Sequence, residues 1–279
     1  MTYGWAILII AVVLGALFEL GLFNFANLAP KSPPGSCQVL RPNGPGTTSY
    51  INLEGVCNNG LPQYVAQFNG QGSVSIGTTG LPSGSNARSV FAWVYYNGIV
   101  STQEYSVFGY GTWQGGDEEA VLSIGSGSPG TLWLDCYGCS FKSVGTVPGN
   151  GWHFIGYTYA SGASFPTFYI DGISTALASG TGALNTVVAS AAIGQYAGCG
   201  CNLFVGKINN VQVYNTSLSA NEITALYDEG IGGVPLNLNS LVGWWPLNGN
   251  ANDYSGNLNN GVSTNVVYTS SWTSGYSAP

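Results

Sequence analysis

Two different hydrophobic patterns divide the chain near residue 30. Residues 4–25 form an almost uninterrupted apolar run, whereas apolar and polar residues alternate in short runs after about residue 50. A helix of about 20 residues, rising about 1.5 Å per residue, spans the roughly 30 Å hydrocarbon layer of a bilayer. The pattern therefore predicts a hydrophobic helix over residues 1–25, followed by a body that is mainly β.

The body is predicted to contain ten or more short strands, separated by turn clusters such as GTTGLPSGSN and VPGNG. Asp171-Gly172 between two runs predicts a hairpin turn. Only SANEITALYDEG favours a helix, with Ser219 as N-cap, Glu222 completing a capping box and Gly230 at its end. The strand runs are QYVAQF, SVSIG, SVFAWVYY, EYSVFGYG, AVLSIGS, TLWLDCYG, WHFIGYTYA, TFYIDG, AAIGQY and FVGKINNVQVY. Many strands with one short helix predict a two-sheet sandwich.

Composition narrows the classes of function. Charged residues make up 6% of the chain, aromatic residues make up 13%, and the formal net charge is −7 with five Lys and Arg. Nucleic acids and anionic lipid surfaces require clustered cations, so neither is expected as a partner of the body. The aromatic and β-branched content is high enough to bury a core, which argues against disorder.

Three interpretations compete for residues 1–25. A cleaved secretory signal is disfavoured, because nothing basic precedes the run and its apolar core is long. A plain membrane anchor fits the length. The sequence MTYGWAILIIAVVLGALFELGLFN resembles the N-terminal helix of archaeal type IV pilin-like proteins, the group with class III signal peptides. That resemblance implies a helix that lies in the membrane during biogenesis and then self-associates in the core of a filament.

Three residues of this run bear on helix packing. Ala11 and Gly15 are four apart, the spacing of small residues that lets helices approach closely. Glu19 is the one charge of the run, and a carboxylate inside a bilayer is costly. It is expected either at the interfacial end of the helix or in a contact between filament helices. Residues 26–48 are rich in Pro and Gly and are predicted to form a stalk without a regular helix or a central strand.

Several segments of the body carry a second resemblance. FNGQGSVSIG, WHFIGYTYA, FYIDGIS and GKINNVQVYNTSLSANEITALYDEG are similar to segments of concanavalin A-like, laminin-G-like domains, over roughly residues 60–235. The resemblance implies a mainly β, two-sheet jelly-roll sandwich over residues 49–279. LVGWWPLNGNANDYSGNLNNGV looks like the opening segment of such a domain, although it follows the closing helix. We expect residues 241–272 to fold back and supply the missing first strand, or to extend a neighbouring subunit's sheet.

Six cysteines are expected to form disulfides in an oxidising compartment. Cys37 and Cys57 bracket a Gly- and Pro-rich stretch and are predicted to pair. Pairing within C-x-C is geometrically awkward, so cross-links are favoured between the two remaining clusters; a four-thiolate zinc site is the alternative. The clusters are Cys136 with Cys139, and Cys199 with Cys201.

No constellation of catalytic residues stands out. Glycoside hydrolysis needs two carboxyl groups about 5–9 Å apart. Glu118 and Glu119 are consecutive, and they are expected in a solvated acidic turn, with cation binding as the alternative. His153 is the only histidine and is expected to have a structural role. We therefore expect no enzyme activity, and a polysaccharide-active enzyme is the less favoured alternative.

A cation site is one candidate for binding. Asn250, Asn252, Asp253 and Asn257 offer the oxygen ligands that Ca²⁺ requires. The same residues would also form an Asn- and Gly-rich turn held by its own side-chain hydrogen bonds. Both interpretations place these residues in a loop.

Aromatic side chains are the other candidates for binding. Tyr110, Trp113 and Trp133 lie near predicted loops, where they would stack on sugar rings, although most aromatic residues of a sandwich are core. Asn215 begins the one N-x-[ST] glycosylation acceptor. We predict a cell-surface, non-enzymatic protein: a pilin-like filament subunit displaying an adhesive, carbohydrate-binding sandwich. The alternative is a membrane-tethered lectin-like module that does not polymerise.

Overall fold

The computed structural model describes the chain from residue 37 onward, apart from residues 43–47, 54–60, 99–102, 117 and 126–127, and it describes side chains from residue 61 onward. The predicted hydrophobic helix, with its packing residues, and the expected Cys37–Cys57 pair lie outside this description. Within the described residues, no helix combines the length and the apolar character required to cross a bilayer.

Two antiparallel sheets form a mainly β sandwich. Sheet 1 contains, in spatial order, β12 (Ile173–Thr175), β11 (Thr167–Ile170), β10 (Gly151–Tyr159), β5 (Arg88–Tyr96), β15 (Val205–Tyr214), β3 (Val65–Asn69) and β18 (Val267–Thr269), with β16 (Leu241–Trp245) also paired to β15. Sheet 2 contains β13 (Leu177–Thr181), β9 (Ser140–Thr146), β8 (Thr131–Asp135), β7 (Glu119–Gly125), β6 (Glu104–Gly111), β14 (Ser190–Ile193), β4 (Ser73–Ile76) and β17 (Val262–Thr264).

A separate two-stranded ribbon precedes the sandwich in sequence. It pairs β1 (Cys37–Pro42) with β2 (Thr48–Leu53) in antiparallel register. β1 falls inside the segment predicted as a stalk. It is an edge strand of the ribbon, and neither sheet of the sandwich includes it.

The predicted two-sheet sandwich is confirmed, and each of the ten predicted strand runs contains a strand. The reason is visible along β5, where Val90, Ala92 and Val94 face the space between the sheets while Phe91 and Trp93 face outward. Side chains of a strand alternate between its two faces, so this alternation is legible in the sequence. β9 and β13 were missed because Ser, Gly and Thr replace a clear alternation there.

Two hydrophobic cores hold the domain together. The main core fills the space between the sheets and includes Phe108, Leu122, Ile155 and Val213. A second core lies on the outer face of sheet 1, beneath helix α1 (Ala220–Asp228), whose Ile223 and Leu226 are buried. Sheet 1 is therefore packed on both faces around β5, which explains why this strand is apolar from Val90 to Tyr96.

The C-terminal segment contributes to both sheets of its own chain. β16 pairs with β15, β17 with β4, and β18 with β3. Adjacent residues of β16 pack into different cores: Trp244 lies in the second core and Trp245 in the main core. The indole N–H of Trp244 donates to Oδ1 of Asn210 at 2.8 Å, and that of Trp245 donates to the carbonyl oxygen of Asn259 at 2.9 Å.

The predicted helix ends and hairpin turn are also confirmed. The Ser219 side chain accepts a hydrogen bond from the Glu222 N–H, and the Glu222 carboxylate accepts one from the Ser219 N–H at 2.8 Å. Gly230 has a φ of 74° just after the helix, a conformation that glycine adopts without a Cβ penalty. Asp171 and Gly172, with φ values of 50° and 76°, form the turn between β11 and β12.

Candidate functional site

The outer face of sheet 2 carries polar and aromatic side chains in adjacent strands. Ser123 of β7 lies opposite Trp133 of β8, and Trp133 lies opposite Lys142 of β9. Glu119 and Asp135 share this face, because Glu119 lies four positions from Ser123 and Asp135 two positions from Trp133 on the same strand. The sheet therefore presents carboxyl groups, an indole and an ammonium group side by side.

Residues 194–202, here named the covering loop, lie across part of this face. The Asn202 side-chain amide donates to Oε2 of Glu104 at 2.9 Å, and the Asn202 carbonyl oxygen accepts a hydrogen bond from the backbone of β6. The Tyr196 N–H donates to the carbonyl oxygen of Cys201 at 3.0 Å, which closes the segment on itself. The covering loop thus shields the acidic residues of β6 and β7 from water.

Three carboxyl groups meet at this face, from Glu104, Glu119 and Asp135. Glu119 is fully buried and Glu104 nearly so. Burial raises the pKa of Glu104 and the pKa of Glu119 each to about 7, and it also raises the pKa of Asp135. The charges of neighbouring carboxylates push the pKa of Glu104 in the same direction. The cluster therefore exchanges protons near neutral pH, where ordinary carboxylates are fully ionised.

Tyr196 connects the carboxyl groups to the aromatic residues at the edge of the face. Its hydroxyl group donates to Oδ2 of Asp135 at 3.0 Å. Burial and then the charge of Asp135 raise the pKa of Tyr196, so its hydroxyl group stays protonated. Its ring contacts Trp113 edge-on, with ring centroids 5.4 Å apart.

Trp113 packs against the covering loop, Tyr137 contacts Trp113, and Trp133 lies on β8 two positions before Asp135; these three aromatic side chains are here named the aromatic platform. Trp113 is 36% exposed and Tyr137 is 52% exposed, and their ring centroids lie 5.7 Å apart in an edge-to-face arrangement. Trp133 is half-buried, and Nζ of Lys142 lies 4.6 Å from the centroid of its ring. The backbone N–H of Tyr137 donates to Oδ1 of Asp135 at 3.1 Å, which ties the platform to the acidic cluster.

The prediction of Tyr110 as a ligand contact is wrong, because this residue belongs to the main core. Its side chain is fully buried. The hydroxyl group accepts a hydrogen bond from Nη1 of Arg88 at 2.8 Å and donates to the carbonyl oxygen of Pro82 at 3.0 Å. Burial raises the pKa of Tyr110 to about 12. The alternation along β6 turns this ring inward, away from any ligand on the outer face.

The expectation of a solvated turn at Glu118 and Glu119 is wrong for Glu119. Glu119 begins β7 and is fully buried, whereas Glu118 is partly exposed. Sequence reasoning also missed Glu104 and Asp135. The covering loop that buries this cluster is distant in sequence, and no local pattern signals its position. The one usable signal was the presence of single acidic residues within otherwise apolar strand runs.

The predicted cross-links between the two cysteine clusters are also wrong. Cys136 pairs with Cys139, and Cys199 pairs with Cys201. A tight turn brings the Cα atoms within reach in each case, at 5.0 Å and 5.2 Å; Tyr137 adopts a φ of 65° in the first turn. One disulfide flanks the aromatic platform and the other lies in the covering loop. Disulfides of this kind are typical of extracellular proteins.

The residues predicted to bind calcium lie together in one turn after β16. The Asp253 carboxylate accepts hydrogen bonds from the backbone N–H groups of Trp244, Ser255 and Asn259 at 3.0, 2.8 and 2.9 Å. It accepts a fourth from the Ser255 hydroxyl group at 2.9 Å. The side-chain amide of Asn257 donates to the carbonyl oxygens at the start of β16. These contacts have the form of a turn held by its own side chains.

Asn250 and Asn252 belong to the same turn. Oδ1 of Asn250 accepts a hydrogen bond from the Asn252 N–H at 2.9 Å. Considering the described part of the chain alone, no group of three or more His, Cys, Asp or Glu residues is arranged to hold a metal ion. A calcium ion coordinated by Asp253 would have to compete with four hydrogen bonds to its carboxylate.

Two further predicted residues have defined positions. Nδ1 of His153 lies 2.7 Å from Oδ2 of Asp171, and Oδ1 of Asp171 accepts the Phe154 N–H at 2.9 Å. His153 thus braces the β11–β12 hairpin turn, in line with the structural role expected of it. Asn215 is exposed directly after β15, so its side chain is accessible to a glycosylating enzyme.

Comparison with known families assigns the fold. A laminin G family model, described as the concanavalin A-like lectin/glucanases superfamily, matches residues 68–224, which is more than half of the chain. The chain therefore belongs to the concanavalin A-like lectin/glucanases superfamily. No curated protein matches the sequence.

Solved structures share this fold at low sequence identity. A candidate carbohydrate binding protein of Bacteroides ovatus is similar with a TM-score of 0.55 and 16% identity, over 81% of this chain and 64% of that one. The chain thus spans less than two thirds of that protein. A heptameric SAP-like pentraxin from Limulus polyphemus is similar with a TM-score of 0.51 and 12% identity, over 74% of this chain and 94% of that one. At such low sequence identity, the similarity shows a shared fold and carries no information about binding sites.

Proposed function

We propose that the sandwich is a non-catalytic carbohydrate-binding domain and that the aromatic platform is its binding surface. The observation that carries this proposal is the exposure of Trp113 and Tyr137 in mutual contact, directly after the ends of β6 and β8 in sheet 2. Exposed aromatic rings stack on the apolar face of a sugar ring, and their polar atoms remain available to sugar hydroxyl groups. A cluster of such rings, rather than a single exposed one, favours a ligand with repeated flat faces.

The acidic cluster argues for binding without catalysis. A glycosidase needs two carboxyl groups that reach opposite sides of one glycosidic bond. Glu119 is fully buried beneath the covering loop, and Glu104 is engaged by Asn202. In this arrangement the carboxyl groups support the binding surface from below. The Bacteroides ovatus protein, described as a candidate for carbohydrate binding, adds support at the level of the fold.

Glycan-array binding of the full chain tests this proposal. We expect Trp113→Ala to reduce the affinity for the best-bound neutral glycan at least about tenfold, because stacking area is lost. Phe165→Ala is the matched control, since Phe165 is 52% exposed outside the platform. Equal binding by both variants and the unaltered chain would exclude the aromatic platform as the site. Hydrolysis of the bound glycan would exclude a purely non-catalytic role.

We further propose that the domain is displayed at the cell surface by a pilin-like helix, as an adhesive filament subunit. The resemblance of residues 1–25 to pilin-like helices supports this role, and the two disulfides agree with an extracellular position. Electron microscopy of the full chain purified from membranes tests it. Ordered filaments with a helical core are expected; single particles confined to detergent micelles would favour the tethered lectin-like module.

A further inference from the structure

A groove on the opposite side of the domain, at the outer face of sheet 1, is distinct from the aromatic platform. Its volume is about 510 Å³, which is in the range of small-molecule sites. Strand register builds its floor: Tyr95 of β5 lies opposite Lys207 of β15, and Lys207 lies opposite Gln67 of β3. The next pair on the same face, Asn69 of β3 opposite Val205 of β15, extends the floor towards the ends of these strands.

The C-terminal tail forms one wall of this groove, at Ser274. The tail is anchored on both sides of this residue. The indole N–H of Trp272 donates to the carbonyl oxygen of Pro62 at 3.1 Å, and the carbonyl oxygen of Gly275 accepts the Trp152 N–H at 3.0 Å. The wall is therefore held by packing and hydrogen bonds, and the groove is a built feature of the fold.

The polar groups that line the groove include one ammonium group and three side-chain amides. Lys207 is its one charged lining residue, and the amide side chains of Gln67, Asn69 and Asn97 surround it. Nζ of Lys207 lies 5.2 Å from the centroid of the Tyr95 ring and donates to the carbonyl oxygen of Ser271 at 2.9 Å. An ammonium group has three N–H donors, so two of them remain for a ligand.

Lys207 is one of only five Lys and Arg residues in a chain with a net charge of −7, and it lies away from acidic side chains. None of the residues that line the groove carries a carboxylate, and among the described residues Lys207 forms no ion pair. Burial lowers the pKa of Lys207, and a bound anion would offset that cost. The ammonium group of Lys207 is therefore the one charge in a groove whose other lining residues are neutral, which favours an anionic ligand.

We infer that this groove binds a sugar unit that carries a carboxylate. The carboxylate contacts Lys207 in a charge-assisted hydrogen bond, and the amide groups of Gln67, Asn69 and Asn97 donate to and accept from the sugar hydroxyl groups. The inference does not depend on the aromatic platform, because the two surfaces lie on different sheets.

Glucuronate and glucose form a matched pair of probes, since they differ only in the carboxylate at C6. Binding of each to the full chain is measured by titration calorimetry and by ligand-observed NMR at neutral pH and low salt. We expect saturable binding of glucuronate and at least about tenfold weaker binding of glucose. Equal binding of the two sugars, or no saturable binding of glucuronate, would overturn the inference.

Variants locate the site. Lys207→Met keeps the aliphatic stem and should weaken glucuronate binding about tenfold, whereas Lys207→Arg should retain it. Asn97→Asp places a negative charge at the exposed rim and should also weaken binding without affecting the fold, which is checked by the melting temperature. If Lys142→Met abolished binding instead, the anion would lie on sheet 2 and the inference would be wrong. Trp113→Ala should leave glucuronate binding unchanged, which separates this site from the proposed platform.

Discussion

The outer faces of the two sheets are both covered, but different kinds of residue cover them. On sheet 1, α1 and the C-terminal tail bury an apolar cluster that includes Trp93, Trp244 and Trp272. On sheet 2, the covering loop places Tyr196 and Asn202 over carboxyl groups. The three tryptophans of this cluster are buried and Tyr95 is partly exposed in the groove, whereas Trp113 and Tyr137 beside the covering loop are exposed.

This difference indicates separate roles for the two faces. Burial of apolar area stabilises a fold by roughly 25 cal/mol per Å², so the covered face of sheet 1 contributes mainly to stability. Burial of carboxyl groups costs free energy unless they are hydrogen-bonded or protonated. A face that retains such groups, with exposed aromatic rings beside them, is better suited to binding than to stabilisation. On sheet 1, the groove beside Lys207 lies outside the apolar cluster that α1 and the tail cover.

The largest expected effect comes from removing an aromatic side chain from the sealed face. Trp244→Ala should lower the free energy of unfolding by about 3–5 kcal/mol, because it leaves a cavity and removes the donor to Asn210. Trp113→Ala, on the open face, should lower it by less than about 1 kcal/mol. Denaturant titrations of both variants measure the contrast. Similar losses for the two variants would show that both faces contribute equally to stability.

A smaller effect is expected in the turn that follows β16. Asp253→Asn turns an acceptor into a donor opposite backbone N–H groups, so it should destabilise the domain by about 2 kcal/mol. Thermal unfolding with Ca²⁺ and with a chelator provides the companion measurement. We expect the same melting temperature in both conditions for the unaltered chain. If Ca²⁺ raised the melting temperature of the unaltered chain but not that of Asp253→Asn, the result would favour calcium binding at this turn.

The smallest effect is expected at the acidic cluster, and it depends on pH. Burial raises the pKa of Glu104 from 4.5 to about 7. Between these values the folded chain holds this proton more tightly than the unfolded chain, so the free energy of unfolding falls as the pH rises from about 4.5 to about 7. The full shift corresponds to about 3 kcal/mol. Relaxation of polar groups and water penetration reduce the cost of a buried charge in proteins, so we expect about 1 kcal/mol.

Glu104→Gln should remove the part of this dependence that Glu104 contributes, because the amide oxygen can still accept the hydrogen bond from Asn202 without a charge to bury. Glu119, whose pKa is also raised to about 7, keeps its own contribution in the variant. The variant should therefore be more stable than the unaltered chain at pH 8 and similar to it at pH 4.5. Chemical denaturation at both pH values measures the difference. A variant that is less stable at pH 8 would mean that the ionised carboxylate is favoured by the fold.

The sequence by itself determined most strands of the sandwich, the helix α1 and the class of fold. Alternation along β5 and the capping box at Ser219 are local patterns, and the forces that produce them act within a few residues of one another. Tyr110 was misplaced for a related reason. An aromatic residue near a predicted loop has the same local sequence whether its strand turns it inward or outward, and the pairing of the whole sheet settles this direction.

Tertiary structure alone decided how the two outer faces differ. The covering loop buries Glu104 and Glu119, and the C-terminal tail forms the wall beside Lys207, although these partners are far apart along the chain. The four cysteines whose side chains the structure describes also paired locally, against the expectation of cross-links, because backbone turns brought each pair together. Composition and periodicity record which residues tend to be buried. The surroundings of a charged or aromatic side chain, and therefore its chemistry, depend on segments that meet only after the sheets have formed.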